Sequence, residues 1–243
     1  MTRSRAHEIL LQEALLGKRG YVCVSNVHTT MTGFFHREYR HVTNAAAFAV
    51  PDGVPLVWAM RSLGCPNQDR VRGPSLMRDL FDLGRAHQIR HYLYGGSPAA
   101  LVSLRKNLEE QYPGALIVGA ESPPFRPLES ISEAEFAEVA ERINASNPHF
   151  VWIGLGAPKQ ERWMYFQRNR VRGIMLGVGA AFDFHAGKVT QAPRWIQRSG
   201  FEWLFRLCAE PRRLWRRYAR NNPLFLWRIA GQLTGWTRYP MDR

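Results

Sequence analysis

Short apolar runs recur along the chain, each closed by glycine and followed by a longer amphipathic stretch. His91-Tyr92-Leu93-Tyr94 leads into Gly95-Gly96-Ser97-Pro98 and then Ala99 to Tyr112. Phe150-Val151-Trp152-Ile153 leads into Gly154-Leu155-Gly156-Ala157-Pro158 and then Lys159 to Asn169. Gly173-Ile174-Met175-Leu176 leads into Gly177-Val178-Gly179-Ala180-Ala181, and Tyr21 to Val24 and Leu116 to Gly119 read as further strands. Ser132-Glu133-Ala134-Glu135 has the cap and early acids of a helix start, with an end near Asn147-Pro148. The chain opens in a helical stretch, Arg5 to Leu16. Strands alternating with helices predict an α/β fold, a Rossmann-like, mostly parallel sheet with helices on both faces. In such sheets ligands bind beyond the carboxyl ends of the strands, where these glycine turns fall.

Composition changes this picture little, and charge changes it more. With 45% hydrophobic residues in 243, the chain has enough apolar surface for a folded core, and disorder is excluded. It has no apolar run of spanning length, and its first twenty residues lack the apolar core and cleavage site of a secretory signal, so a cytoplasmic location is expected. Cys23, Cys65 and Cys208 fit neither a disulfide framework nor a zinc site and are read as reduced thiols. The net charge is +13, and only four of the 33 basic residues are Lys. Such a surplus asks for an anionic partner: nucleic acid, a membrane surface or a phosphorylated substrate.

The surplus is concentrated. Residues 194–243 hold eleven Arg against Glu202, Glu210 and Asp242, and five of the eight Trp. The chain therefore divides into an α/β body, 1–193, and a basic, aromatic C-terminal appendage, 194–243. Within the appendage Arg212, Arg213, Arg216, Arg217 and Arg220 interleave with Leu214, Trp215 and Tyr218. Asn221-Asn222-Pro223 reads as a helix stop and a new start, and Leu224 to Trp236 is apolar but too short to span. Arg and Trp at an apolar boundary fit a membrane-surface segment, with a packed helix pair or an oligomer interface as the plainer readings.

Four clusters could carry chemistry. The three glycine turns could present backbone N–H groups to a phosphate. Asp52, between Pro51 and Gly53 at a strand end, reads either as a general base or as a turn residue capping the next helix. Arg70 and Arg72, beside Gly73, read either as a fork for a diphosphate or as a solvated charge run. Lys159 and Gln160, on a strand-to-helix turn with Pro158 at the first helical position, suit anion capture and sugar hydroxyls, or form an ordinary polar first turn. Gly177-Val178-Gly179-Ala180-Ala181-Phe182 approaches a dinucleotide fingerprint, but Phe stands where a small residue should pack, so a nicotinamide enzyme such as an epimerase is set aside. Gly-x-Ser-x-Gly, His-Glu-x-x-His, Cys-x-x-Cys and Asp-x-Asp do not occur, and Asp183 with His185 alone does not make a metal site.

Taken in order, these pieces resemble the WecG/TagA/CpsF family, glycosyltransferase family 26. The resemblance rests on Val24-Ser25-Asn26, Val50-Pro51-Asp52-Gly53, Arg70-Val71-x-Gly73, Leu155-Gly156-Ala157-Pro158-Lys159-Gln160-Glu161 and Gly177-Val178-Gly179-x-x-Phe182-Asp183-x-x-Ala186-Gly187. Ala192-Pro193, Glu202-Trp203-Leu204-Phe205-Arg206-Leu207 and Glu210-Pro211-x-Arg213 extend it, so that it covers about residues 20 to 218.

The resemblance implies an inverting glycosyltransferase that moves a hexose from a UDP-sugar to a polyprenyl-diphosphate-linked saccharide on the cytoplasmic membrane face. Glucose, N-acetylmannosamine and its uronic acid stand as donors. The products serve teichoic acid, common antigen, capsule or exopolysaccharide synthesis. It implies Asp52 as general base, Asn26 and Gln160 in the donor pocket, and Arg70 near the diphosphate. It also implies Asp183 near the nucleotide end, and Arg206, Arg213 and Arg216 closing over the site. No metal or other cofactor is implied. Val24 stands where the family usually has a Thr two residues before the pocket Asn, with Ser25 between, so a hydroxyl contact is either lost or moved to Ser25. Ser122-Pro123-Pro124-Phe125 replaces a Gly-Tyr-Phe loop. The competing class is a nucleic-acid-binding protein that uses the Arg/Trp appendage.

Overall fold

The computed structural model describes residues 1–239, and for Arg194, Gln197, Arg198 and Arg213 the backbone alone. In chain order the elements are α1 (Arg3–Leu15), β1 (Gly20–Ser25), α2 (Val27–Phe35), α3 (Arg37–Asn44), β2 (Phe48–Pro51), α4 (Val54–Ser62), α5 (Gly73–Gly84) and β3 (Arg90–Gly95). They continue with α6 (Pro98–Gln111), β4 (Leu116–Glu121), α7 (Glu133–Ala145), β5 (Phe150–Gly154), α8 (Lys159–Gln167) and β6 (Ile174–Gly177). The last are α9 (Ala181–His185), α10 (Arg194–Ser199), α11 (Glu202–Ala209) and α12 (Pro211–Leu233). All six strands are parallel, in the order β2-β1-β6-β5-β3-β4.

The inner strands are apolar on both sides because both sides are covered. Val22, Val24, Leu93, Phe150, Trp152, Ile174 and Leu176 face a core closed by α1, α5, α6 and α9. Their alternates Tyr21, Cys23, Tyr92, Tyr94, Val151, Ile153 and Met175 face a second core closed by α7 and α8. Period-two alternation of large apolar residues thus fills two layers from one sheet. The helices obey their local signals. Ser132 caps α7 in a capping box with Glu135, and Ser97 caps α6.

Two features place the site. β1 leads through α2 to α3, which packs beside α8, whereas β6 leads into α9 on the opposite face. The chain therefore diverges between the carboxyl ends of β1 and β6, and a crevice opens there. The C-terminal helices cover it: Phe225 of α12 is buried with Val27, Met31 and Ala59 of α2 and α4.

α12 corrects one expectation. Asn221-Asn222-Pro223 neither stops nor restarts a helix, since one helix runs through with Pro223 inside. Proline removes a backbone hydrogen bond, but Asn221 and Phe225 on either side of it are buried against the body, and that packing carries the helix across.

Candidate active site

A cavity of about 500 Å³ lies over the ends of β1, β2 and β6, walled by the body on one side and by α11 and α12 on the other. Asn26 ends β1 and caps α2. Its Oδ1 accepts from the N–H groups of His28 (3.0 Å) and Thr29 (3.3 Å). The carbonyl side of the amide is thus spent on the helix, and Nδ2 is the group left to a ligand. Ser25 supplies a backbone carbonyl to the Asp52 N–H at 2.7 Å, which pins the end of β2 beside β1. Gly53 follows as the N-cap of α4 and lines the cavity with Asp52.

Asp52 lines the cavity just beyond the end of β2. Its side chain is 28% exposed, opens into the cavity, and lies 3.5 Å from Arg70 Nη2, while Arg70 Nε donates to the Asp52 carbonyl. Burial pushes its carboxyl above the ordinary carboxylate range; Arg70 opposes this, Glu202 adds to it, and Arg72 and Arg206 oppose it. A carboxylate so placed is a better proton acceptor than a surface one. Arg70 and Arg72 are not a solvated run: they converge on buried Glu202 of α11, at 2.8 and 2.6 Å. Arg206 of α11 lines the same cavity, its guanidinium 5.7 Å from the Phe184 ring. Among the described residues no cluster of His, Cys, Asp or Glu has the makings of a metal site.

Other expected site residues are placed differently. Gln160 is 4% exposed and does not line the cavity. Its Nε2 donates to Glu161 Oε1 at 2.8 Å, and its Oε1 sits without a partner under the glycine turn after β6. A Cβ at Gly179, where φ is +51°, would come within 3.2 Å of that oxygen. Glu161 is buried too, and burial pushes its carboxyl up. Pro158 is the N-cap of α8 rather than its first residue, and Gly156 and Ala157 form the bend before it.

The glycine turns after β3 and β6 do not present a row of free amides. Gly96 N–H is given to Gly154 O, and the N–H groups of Val178 and Gly179 both go to Ile153 O. Gly95 lies so near Gly154 that a Cβ there would meet the Gly154 carbonyl carbon at 2.6 Å. Gly177 sits within the ladder, opposite Cys23 and Ile153. These glycines serve close packing of adjacent strand ends. Phe182, the misfit in the dinucleotide pattern, fills the space over Gly154, where a Cβ would lie 2.5 Å from its ring.

Lys159 lies outside the cavity, on a second, smaller cleft of about 210 Å³ with Tyr94, Glu121, Arg126 and Arg142. Its Nζ donates to the Arg126 carbonyl at 2.5 Å. Asp183 stands in α9 and does not line the cavity, although its neighbour Phe184 does. Arg216 is exposed, its guanidinium 5.4 Å from the Trp215 ring; one residue on, Arg217 is the arginine that faces the cavity. The Arg213 side chain lies outside the described residues.

The sequence assigned no site role to His28, Glu202, Arg217 or Asn221, all of which line the cavity. His28 Nδ1 and Asn221 Nδ2 meet at 3.1 Å and close α12 onto α2. Burial, with Arg217 nearby, drops the His28 pKa to about 4, so the ring is neutral near pH 7. Helical spacing could have found the α12 residues: Leu214, Arg217, Asn221 and Phe225 fall on one stripe facing the body. Glu202 had its own signal, as the sole acid between Asp183 and Glu210 in a basic stretch.

Comparison with known proteins gives the chain a family. The model of the glycosyl transferase WecG/TagA/CpsF family matches residues 1–239. An N-acetylglucosaminyldiphosphoundecaprenol N-acetyl-beta-D-mannosaminyltransferase of Bacillus spizizenii is 28% identical over 201 residues, covering 82% of this chain and 75% of that one. A protein of the same description from Staphylococcus aureus is 25% identical over 211 residues, covering 86% and 79%. With its family model matched over nearly its whole length, the chain belongs to the WecG/TagA/CpsF family of glycosyltransferases.

Proposed function

We propose that this protein transfers a hexose, with inversion, from a UDP-sugar to a saccharide carried on a polyprenyl diphosphate. The observation that carries the reading is Asp52: a carboxylate held above its ordinary pKa, open to a cavity, beside arginines suited to a diphosphate. The acceptor hydroxyl gives its proton to Asp52, and its oxygen attacks the anomeric carbon from the face opposite the diphosphate. The bond to the diphosphate oxygen breaks, and UDP departs with the electron pair. Direct displacement inverts the anomeric centre. Arg70 and Arg206 offset the charge growing on the leaving group, which removes the need for a metal. Asn26 Nδ2 meets a polar group of the donor.

The activity named for the relatives makes UDP-N-acetylmannosamine the first donor to test, and N-acetylglucosaminyl-diphospho-undecaprenol the first acceptor. Glucose and the uronic acid follow as donors. The enzyme works at the inner face of the cell membrane. No described helix is long and apolar enough to cross a membrane. The outer side of the C-terminal helices instead exposes Trp195, Phe201, Trp215 and Trp227 among Arg212, Arg216 and Arg220. Such a face suits an anionic leaflet better than a nucleic acid, because the aromatic residues are spread over an apolar surface.

Transfer assays on the full chain with vesicle-borne acceptor test the reading. Thermal-shift titrations with UDP and the three UDP-sugars, without metal and then with EDTA, accompany them. Turnover that is lost in Asp52→Asn, with UDP binding retained, supports it. Near-wild-type turnover in that variant overturns the base assignment.

A further inference from the structure

Glu202 has no part in the steps above, yet it occupies the centre of the arginine group. It comes from α11, while the residues it binds come from the body. Its carboxylate is buried, with Oε2 2.8 Å from Arg70 Nη2 and Oε1 2.6 Å from Arg72 Nη2. The same Arg70 nitrogen lies 3.5 Å from Asp52 Oδ1. One guanidinium is therefore shared by two carboxylates and stands nearer to Glu202. A buried carboxylate is costly unless paired, so docking of α11 and the position of Arg70 are tied together.

We propose that Glu202 is a positioning residue: it competes with Asp52 for Arg70 and so keeps the Asp52 carboxylate free to take the acceptor proton when the C-terminal helices cover the cavity. The inference rests on the base role of Asp52 given above. Asp52 shares the cavity with Arg70 and Arg72 from the segment before α5, Glu202 and Arg206 from α11, His28 from α2 and Arg217 from α12. Among these the nearby negative charge of Glu202 favours protonation of Asp52, and Arg70 opposes it. With a neutral amide substituted for the Glu202 carboxylate, Arg70 turns fully to Asp52 and makes it a weaker base.

The test is the pH dependence of kcat/KM on the full chain. In Glu202→Gln the acid limb moves to lower pH, and kcat falls about tenfold while the donor KM changes little. Glu202→Asp, which keeps the charge, restores the limb towards its original place. Arg72→Gln reads the same coupling from the other end: a positive charge is lost, Glu202 draws Arg70 further from Asp52, and the limb moves to higher pH. This variant keeps the proposal testable should Glu202→Gln fail to fold, and thermal melts of each protein accompany the profiles. Limbs unmoved in folded variants overturn the proposal, whatever the rate. A wild-type chain without transfer, or a limb that persists in Asp52→Asn, overturns the underlying functional reading instead.

Discussion

The two openings at the carboxyl edge of the sheet are built from similar residues and differ in how their charges close. In the larger cavity four arginines, Arg70, Arg72, Arg206 and Arg217, stand against Asp52 and Glu202. In the smaller cleft Arg126, Arg142 and Lys159 stand against Glu121, Glu135 and Glu138. There Arg126 pairs with Glu135, and Arg142 lies 2.8 Å from Glu121. The cleft has neutralised itself, whereas the cavity keeps a positive excess that an anionic ligand can complete. Counting arginines along a sequence does not separate the two; counting the acids that fold onto them does.

Substitutions on either side of this contrast sharpen it. The largest effect is expected from Asp52→Asn, which removes the base and lowers turnover by about 10³-fold. In the unaltered protein the acid limb of kcat/KM should lie above the usual carboxylate range of about 4, because burial raises Asp52; a limb at or below that value would contradict the geometry. Arg206→Gln takes one charge from the cavity and should cost about 10²-fold in kcat, measured with saturating donor. Arg212→Gln with Arg216→Gln alters only the outer side of α12. At about 1 kcal/mol per basic residue, it should weaken binding to anionic vesicles by about 30-fold, read by sedimentation, with UDP binding unchanged.

A smaller effect is expected at His28. Its folded pKa lies near 4, below the usual value, so between about pH 6.5 and 4 the unfolded chain binds a proton that the folded chain refuses. Stability therefore falls on acidification through that window, and His28→Gln should shed part of the fall in melting temperature. Arg142→Gln, in the self-neutralised cleft, should leave transfer within about twofold, since exposed ion pairs contribute little. A large loss there would erase the contrast between the two openings.

Much of this was legible in the sequence. Asp52 was legible because it stands where an apolar run ends, and strand ends deliver residues to the ligand edge; Arg70 stood out only by its place with Arg72 beside a glycine turn. The Ser132 cap and its helix were legible because capping is local. What stayed hidden depends on partners far along the chain. Arg72 and Glu202 are 130 residues apart, and nothing near either names the other. Gln160 follows a strand-to-helix turn as a ligand residue would, but its neighbour Glu161 draws its amide inward. The turn glycines suggested phosphate binding, yet after β3 and β6 the turn amides are taken by the neighbouring strand β5, a pairing set by strand order. The break expected at Pro223 was overridden by burial on both sides of it.

α12 has one further consequence. Arg217, Asn221 and Phe225 on its inner side wall the cavity, and Trp215, Arg216 and Trp227 stand on its outer side. An α-helix is about 10 Å across, so a single thickness of helix separates the reaction from whatever the outer side touches. With that side against a leaflet, the protein meets its acceptor as a surface density rather than a volume concentration. Its rate should then follow the mole fraction of acceptor in the lipid, and diluting the acceptor with inert lipid should slow the reaction even while the bulk concentration of acceptor stays fixed.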